Sequence, residues 1–171
     1  VYAPAPPPPR VLIVSGNRGA SDAFVHDAQT IGFDLAALQA QYGSARLPEN
    51  ADRIDRLFRH EYSHLMQKAW LANTPYAPDT PLEYALLDIW LEGLGTYYSF
   101  SAPWRATREG HSPRAREALA AMEPRFVARL AALSCSGSGN ASRLTADLSH
   151  GPFGRKWGSL TAALWLELES A

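Results

Sequence analysis

The feature that most constrains this chain is the periodic segment over Asn50–Asn73. Ile54, Leu57, Phe58, Leu65 and Ala69 recur there at three- and four-residue steps, the period of one face of an α-helix. The spacing predicts a long amphipathic helix, which is stable only if its apolar face finds a partner surface. Inside it stands His60-Glu61-Tyr62-Ser63-His64. Side chains four apart stack on one helix face, so His60 and His64 point the same way. Glu61 lies roughly 80–100° round the helix from them. His64 borders the stripe through Leu57, which places the group at the edge of the core. Three polar side chains at such a boundary need a reason.

Two imidazoles one turn apart, with a carboxylate beside them, suit one zinc ion and a water held next to a base. A catalytic zinc takes three protein ligands, so a third must come from elsewhere. Glu92 is the best candidate, on the next predicted helix and inside the otherwise apolar Trp90-Leu91-Glu92-Gly93-Leu94-Gly95. A carboxylate in such a stretch is costly to bury unless paired or metal-bound. Asp88, His111 and His150 compete for the place. Gly93 and Gly95 are poor helix formers, and predict a close approach of another backbone or helix. The expected cofactor is about one zinc ion per chain.

Around this segment the chain reads as α+β. Val11–Val14 is short and β-branched, as a buried or half-buried strand would be. Ser15–Asp22 has loop composition. Ala23–His26 and Thr30–Phe33 fit a hairpin around Asp27-Ala28-Gln29, although no strong turn dipeptide is present. Asp34 is placed to cap a helix through Leu35, Leu38 and Tyr42. After a loop at Thr74–Asp79, Thr80-Pro81-Leu82-Glu83 supplies a capping box with proline at the first helical position. That helix runs towards Tyr97. Ser112-Pro113 starts another, which Pro124 is expected to bend or split before Leu133. A polar loop over Ser134–Ser142 and a helix over Lys156–Glu169 complete the reading. Trp70, Trp90, Trp157 and Trp165 are expected in the core, whereas Trp104, beside Pro103, is free to line a binding site.

With 171 residues, 46% of them hydrophobic, the chain can build a core as one domain. Residues 1–10, with five prolines, read as an extended tether, and 11–171 as one domain, cut short in this sequence if the final helix continues. Sixteen basic against seventeen acidic side chains give no electrostatic case for nucleic acid. A lone cysteine, Cys135, excludes a disulfide scaffold. No apolar run reaches the roughly 18 residues of a membrane-spanning helix. Ser15-Gly16-Asn17-Arg18-Gly19 lacks the remaining residues of a phosphate-binding loop.

His60-Glu61-x-x-His64 followed by Glu92 on a second helix resembles the gluzincin zinc metallopeptidases, the branch with thermolysin-like enzymes and zinc aminopeptidases. Glu92-Gly93-Leu94-Gly95-Thr96-Tyr97 is especially similar to a segment of poorly characterised bacterial zinc-dependent proteases. The resemblance implies a zincin-like fold: a small N-terminal sheet whose edge strand lies along the substrate cleft, then a mainly helical part. It implies His60, His64 and Glu92 as ligands and Glu61 as general base. Thermolysin-like enzymes place an acid one turn after the glutamate ligand, where this chain has Thr96. Asp88, one turn before Glu92, is the alternative partner for a ligating histidine. The signature that anchors a substrate amino terminus is not evident, so an endopeptidase is expected over an aminopeptidase.

The implied reaction is zinc-dependent hydrolysis of a peptide or protein substrate. An oxyanion donor is still needed, and His150, in Ser149-His150-Gly151-Pro152, is placed for it, with Tyr97 and Tyr98 as rivals. His26 and His111 read as ordinary surface residues. A catalytically silent zincin-like domain used for binding or assembly is the alternative. The proline-rich entry leans towards a periplasmic or secreted setting.

Overall fold

The computed structural model describes residues 9–16, 21–74, 76–107, 110–135 and 140–170. The proline stretch of residues 1–8, residues 17–20 of the expected first loop and residues 136–139 of the Ser134–Ser142 loop lie outside them. The fold is α+β, a three-stranded sheet followed by a mostly helical part. Residues 1–75 and 76–171 form two compact units.

The first unit opens with strands β1 (Arg10–Val14), β2 (Ala23–Asp27) and β3 (Thr30–Asp34) in the order β1-β3-β2. β3 is central, parallel to β1 and antiparallel to β2. The β2–β3 connection turns without glycine. The Asp27 carboxylate accepts from the Gln29 amide at 2.8 Å, so a side chain supplies the turn's hydrogen bond. Gly32 on β3 lies under the ring of Phe24, where a Cβ would come within 2.4 Å of the ring. At the end of β3 the buried Asp34 carboxylate accepts from Ala36 and Ala37 amides, capping α1 (Leu35–Tyr42), and from the amide of Gly16.

Helix α2 (Arg53–Leu71) packs against β2 and β3. Leu57, Phe58, Tyr62 and Leu65 meet Ala23, Ile31, Phe33 and Leu38. A short 3-10 turn at Pro48–Asn50 precedes α2, which begins three residues later than the periodicity predicts. Ile54 departs from the expected stripe. It is exposed, in a shallow cleft with Leu35, Leu38, Tyr42 and Arg53. Burial and the neighbouring Asp22 carboxylate push the Tyr42 phenol up to about 12.

The second unit contains α3 (Pro81–Tyr98), α4 (Pro113–Ser134), the short α5 (Ala141–Leu144) and α6 (Ser159–Glu169). Thr80 and Glu83 form the expected capping box, and the amides of Asp79 and Thr80, which donate to the Glu83 carboxylate, hold it below its usual range. Pro124 does not split α4. Buried Ala115 on one side and Phe126 and Leu133 on the other anchor both halves of the helix, which offsets the lost backbone bond. The expected Lys156–Glu169 helix begins at Ser159, after a 3-10 turn at Phe153–Arg155. Trp104 is buried, stacked on Phe100 at 5.9 Å between ring centres, and belongs to the core rather than to a binding surface.

α3 and α6 pack closely. Gly93 makes this contact possible, because a Cβ there would lie 2.8 Å from the Cβ of Ala162 and 3.6 Å from the carbonyl of Ser159. The glycine thus reflects a helix approach, as its poor propensity suggests. Gly93→Val is expected to destabilise the protein by about 1–3 kcal/mol through overpacking, read as a lower urea midpoint.

Candidate metal centre

His60, Glu61 and His64 all lie within α2, in its regular interior. The Nε2 atoms of His60 and His64 are 3.1 Å apart, with the ring planes at 88°. Two nitrogens bound to one tetrahedral zinc at 2.0–2.1 Å would lie about 3.3 Å apart, so the pair is already at a ligand–ligand spacing.

The protonation of His64 is set by a neighbour. Its Nδ1 is 3.0 Å from Gln67 Oε1, and Gln67 is buried. An amide oxygen only accepts, so Nδ1 carries the hydrogen and Nε2 keeps its lone pair. That is the state in which an imidazole ligates a metal, with its other nitrogen held by an outer partner. Gln67 was not legible as such a partner from the sequence. Its one signal is spacing, since it lies one turn after His64 and on the same face. Gln67→Ala is expected to weaken zinc affinity by about 10–100-fold, measured by competition with a chelator.

Glu92, the third ligand expected from the sequence, lies on α3 and is half-buried. One nitrogen of His60, one of His64 and a carboxylate oxygen of Glu92 all lie within 4.8 Å of one another, near enough to hold a metal ion. Two imidazoles and a carboxylate are a donor set that zinc accepts. Glu61 is buried on the same helix as the two histidines.

The other candidates make contacts of their own. Asp88 accepts a 2.6 Å hydrogen bond from Ser149 Oγ, and Ser149 Oγ lies 3.0 Å from Nδ1 of the exposed His150. Tyr97 donates its hydroxyl to Ser170 Oγ at 3.1 Å, and Tyr98 is exposed. Thr96 is buried. His111 is half-buried just before α4, and His26 is exposed on β2 with its ring edge-on to Phe24. Compared with known proteins, the chain matches no family model, no curated protein and no solved structure.

Proposed function

We propose that this protein is a zinc-dependent peptide-bond hydrolase of zincin-like architecture, acting as an endopeptidase. The observation that carries the reading is the His60–His64–Glu92 donor group, whose two histidines share helix α2 with Glu61. His60 and His64 would hold the ion through imidazole nitrogens and Glu92 through its carboxylate. Zinc, when bound, supplies Lewis acidity towards water and towards the scissile carbonyl. The Glu61 carboxylate takes a proton from the attacking water and returns it to the leaving amine nitrogen. His150 is the donor for the oxygen that gains charge.

A peptide substrate is supported by the sheet. β2 is an edge strand, antiparallel to β3, and it packs against the helix that carries both histidines. An edge strand offers unpaired amides and carbonyls along which an extended peptide can lie as a further strand.

Elemental analysis of the purified protein, with cleavage of a quenched-fluorescent peptide panel, tests the reading. About one zinc per chain and chelator-sensitive cleavage are expected. A protein that takes up no zinc at micromolar concentration overturns it. One that binds zinc and cleaves nothing is the silent binding domain instead.

A further inference from the structure

Asp88, Ser149 and His150 form a connected chain within the second unit. Ser149 is 2% exposed. Its Oγ is 2.6 Å from Asp88 Oδ2, a length typical of a hydroxyl donating to an ionised carboxylate. A hydroxyl has one proton to give. The 3.0 Å contact between Ser149 Oγ and His150 Nδ1 must therefore be an N–H donated by the ring. Neutral His150 then carries its hydrogen on Nδ1 and turns a lone pair at Nε2 outward. The imidazolium turns an N–H outward at the same atom. Ser149 is not itself a nucleophile in this arrangement, because it is buried and its proton is committed to Asp88 rather than to the imidazole.

The loop that presents these residues is tied down on both sides. The Leu148 carbonyl accepts from the amides of Gly158 and Ser159, and the Asp147 carbonyl from the amide of Trp157. Trp157 Nε1 donates to the Ala146 carbonyl at 2.8 Å. Leu148 and Trp157 are buried in the same apolar cluster. Asp88 stands four residues before Glu92 on α3, so the two carboxylates share a helix face. His150 is thereby tethered to the face of α3 that bears Glu92.

We infer that Asp88 and Ser149 are positioning residues that fix His150 as its Nδ1–H tautomer, so that Nε2 is the atom it offers to substrate. The inference rests on the hydrolase reading for its purpose, but the tautomer is a property of the protein alone. As imidazolium, Nε2–H donates to the substrate carbonyl oxygen while charge builds there; no bond to His150 forms or breaks.

Long-range ¹H–¹⁵N spectra of the ¹⁵N-labelled protein test it, with His150 assigned by the loss of its signals in His150→Gln. In the neutral ring, a protonated Nδ1 and a bare Nε2 are expected, the reverse of the tautomer that a free histidine side chain prefers. Ser149→Ala should shift the ring towards the Nε2–H form. Ser149→Thr, which keeps the hydroxyl, should retain the native tautomer. A wild-type spectrum in which His150 is dominated by neutral Nε2–H overturns the inference. Substrate is not needed for this measurement. Failure to hydrolyse peptides would sink the reading of function and leave the spectrum to judge the relay.

Discussion

Glu61→Gln is expected to lower peptide hydrolysis by about 10²–10⁴-fold, or about 2.7–5.5 kcal/mol of activation free energy, while zinc content stays at that of the wild type. Glutamine keeps the length of the buried side chain and a polar end for its surroundings, so the packing of α2 is undisturbed. What it lacks is a group that can hold a proton between the attack on the carbonyl and the departure of the amine. His60→Ala provides the contrast, since it removes a donor and should lose zinc and activity together. Parallel measurement of kcat/KM and metal content separates the cases. Wild-type rates in Glu61→Gln would remove it as the base. Loss of zinc with loss of rate would make it a support for the metal instead.

The largest expected loss of stability is at Trp157. Its side chain is fully buried, lies edge-on to Phe126 at 6.0 Å between ring centres, and spends its indole N–H on the Ala146 carbonyl. Trp157→Ala opens a cavity and strands that carbonyl, at a cost of about 3–5 kcal/mol. Against a total of roughly 5–15 kcal/mol for a native protein, the variant should unfold at a much lower urea concentration. A midpoint within error of the wild type would show that the 146–158 loop does not depend on this residue.

The local grammar of the chain was legible without coordinates. The Asp34 cap, the Thr80–Glu83 box, the β2–β3 hairpin and the helix through His60 and His64 all stand where short-range rules place them. These features are governed by neighbours within four residues, and a sequence displays them directly. Gly93 was legible as an anomaly, because low helix propensity inside an apolar helix needs a packing reason, and Ala162 supplies it. The polar contacts between distant residues were not legible. Ser149 to Asp88 spans 61 positions, and Arg105 to the buried Glu167 spans 62, at 2.6 Å. No periodicity links such pairs. Gln67 stayed hidden for another reason, since a glutamine on a helix is usually solvated and only its burial beside His64 gives it a role.

Sixty residues separate the end of α3 at Tyr98 from the start of α6 at Ser159. The helix that carries Glu92 leans on a segment made long after it. By contrast, the sheet behind the two histidines precedes them in the chain. At about 5–20 residues per second, a ribosome needs roughly 4–15 s to travel from Glu92 to Glu169. During that interval a nascent chain can offer a cation two imidazoles, but its carboxylate rides on a helix whose seat does not yet exist. For the proposed metal centre, connectivity alone would thus set a schedule, nitrogen donors first and the oxygen donor last.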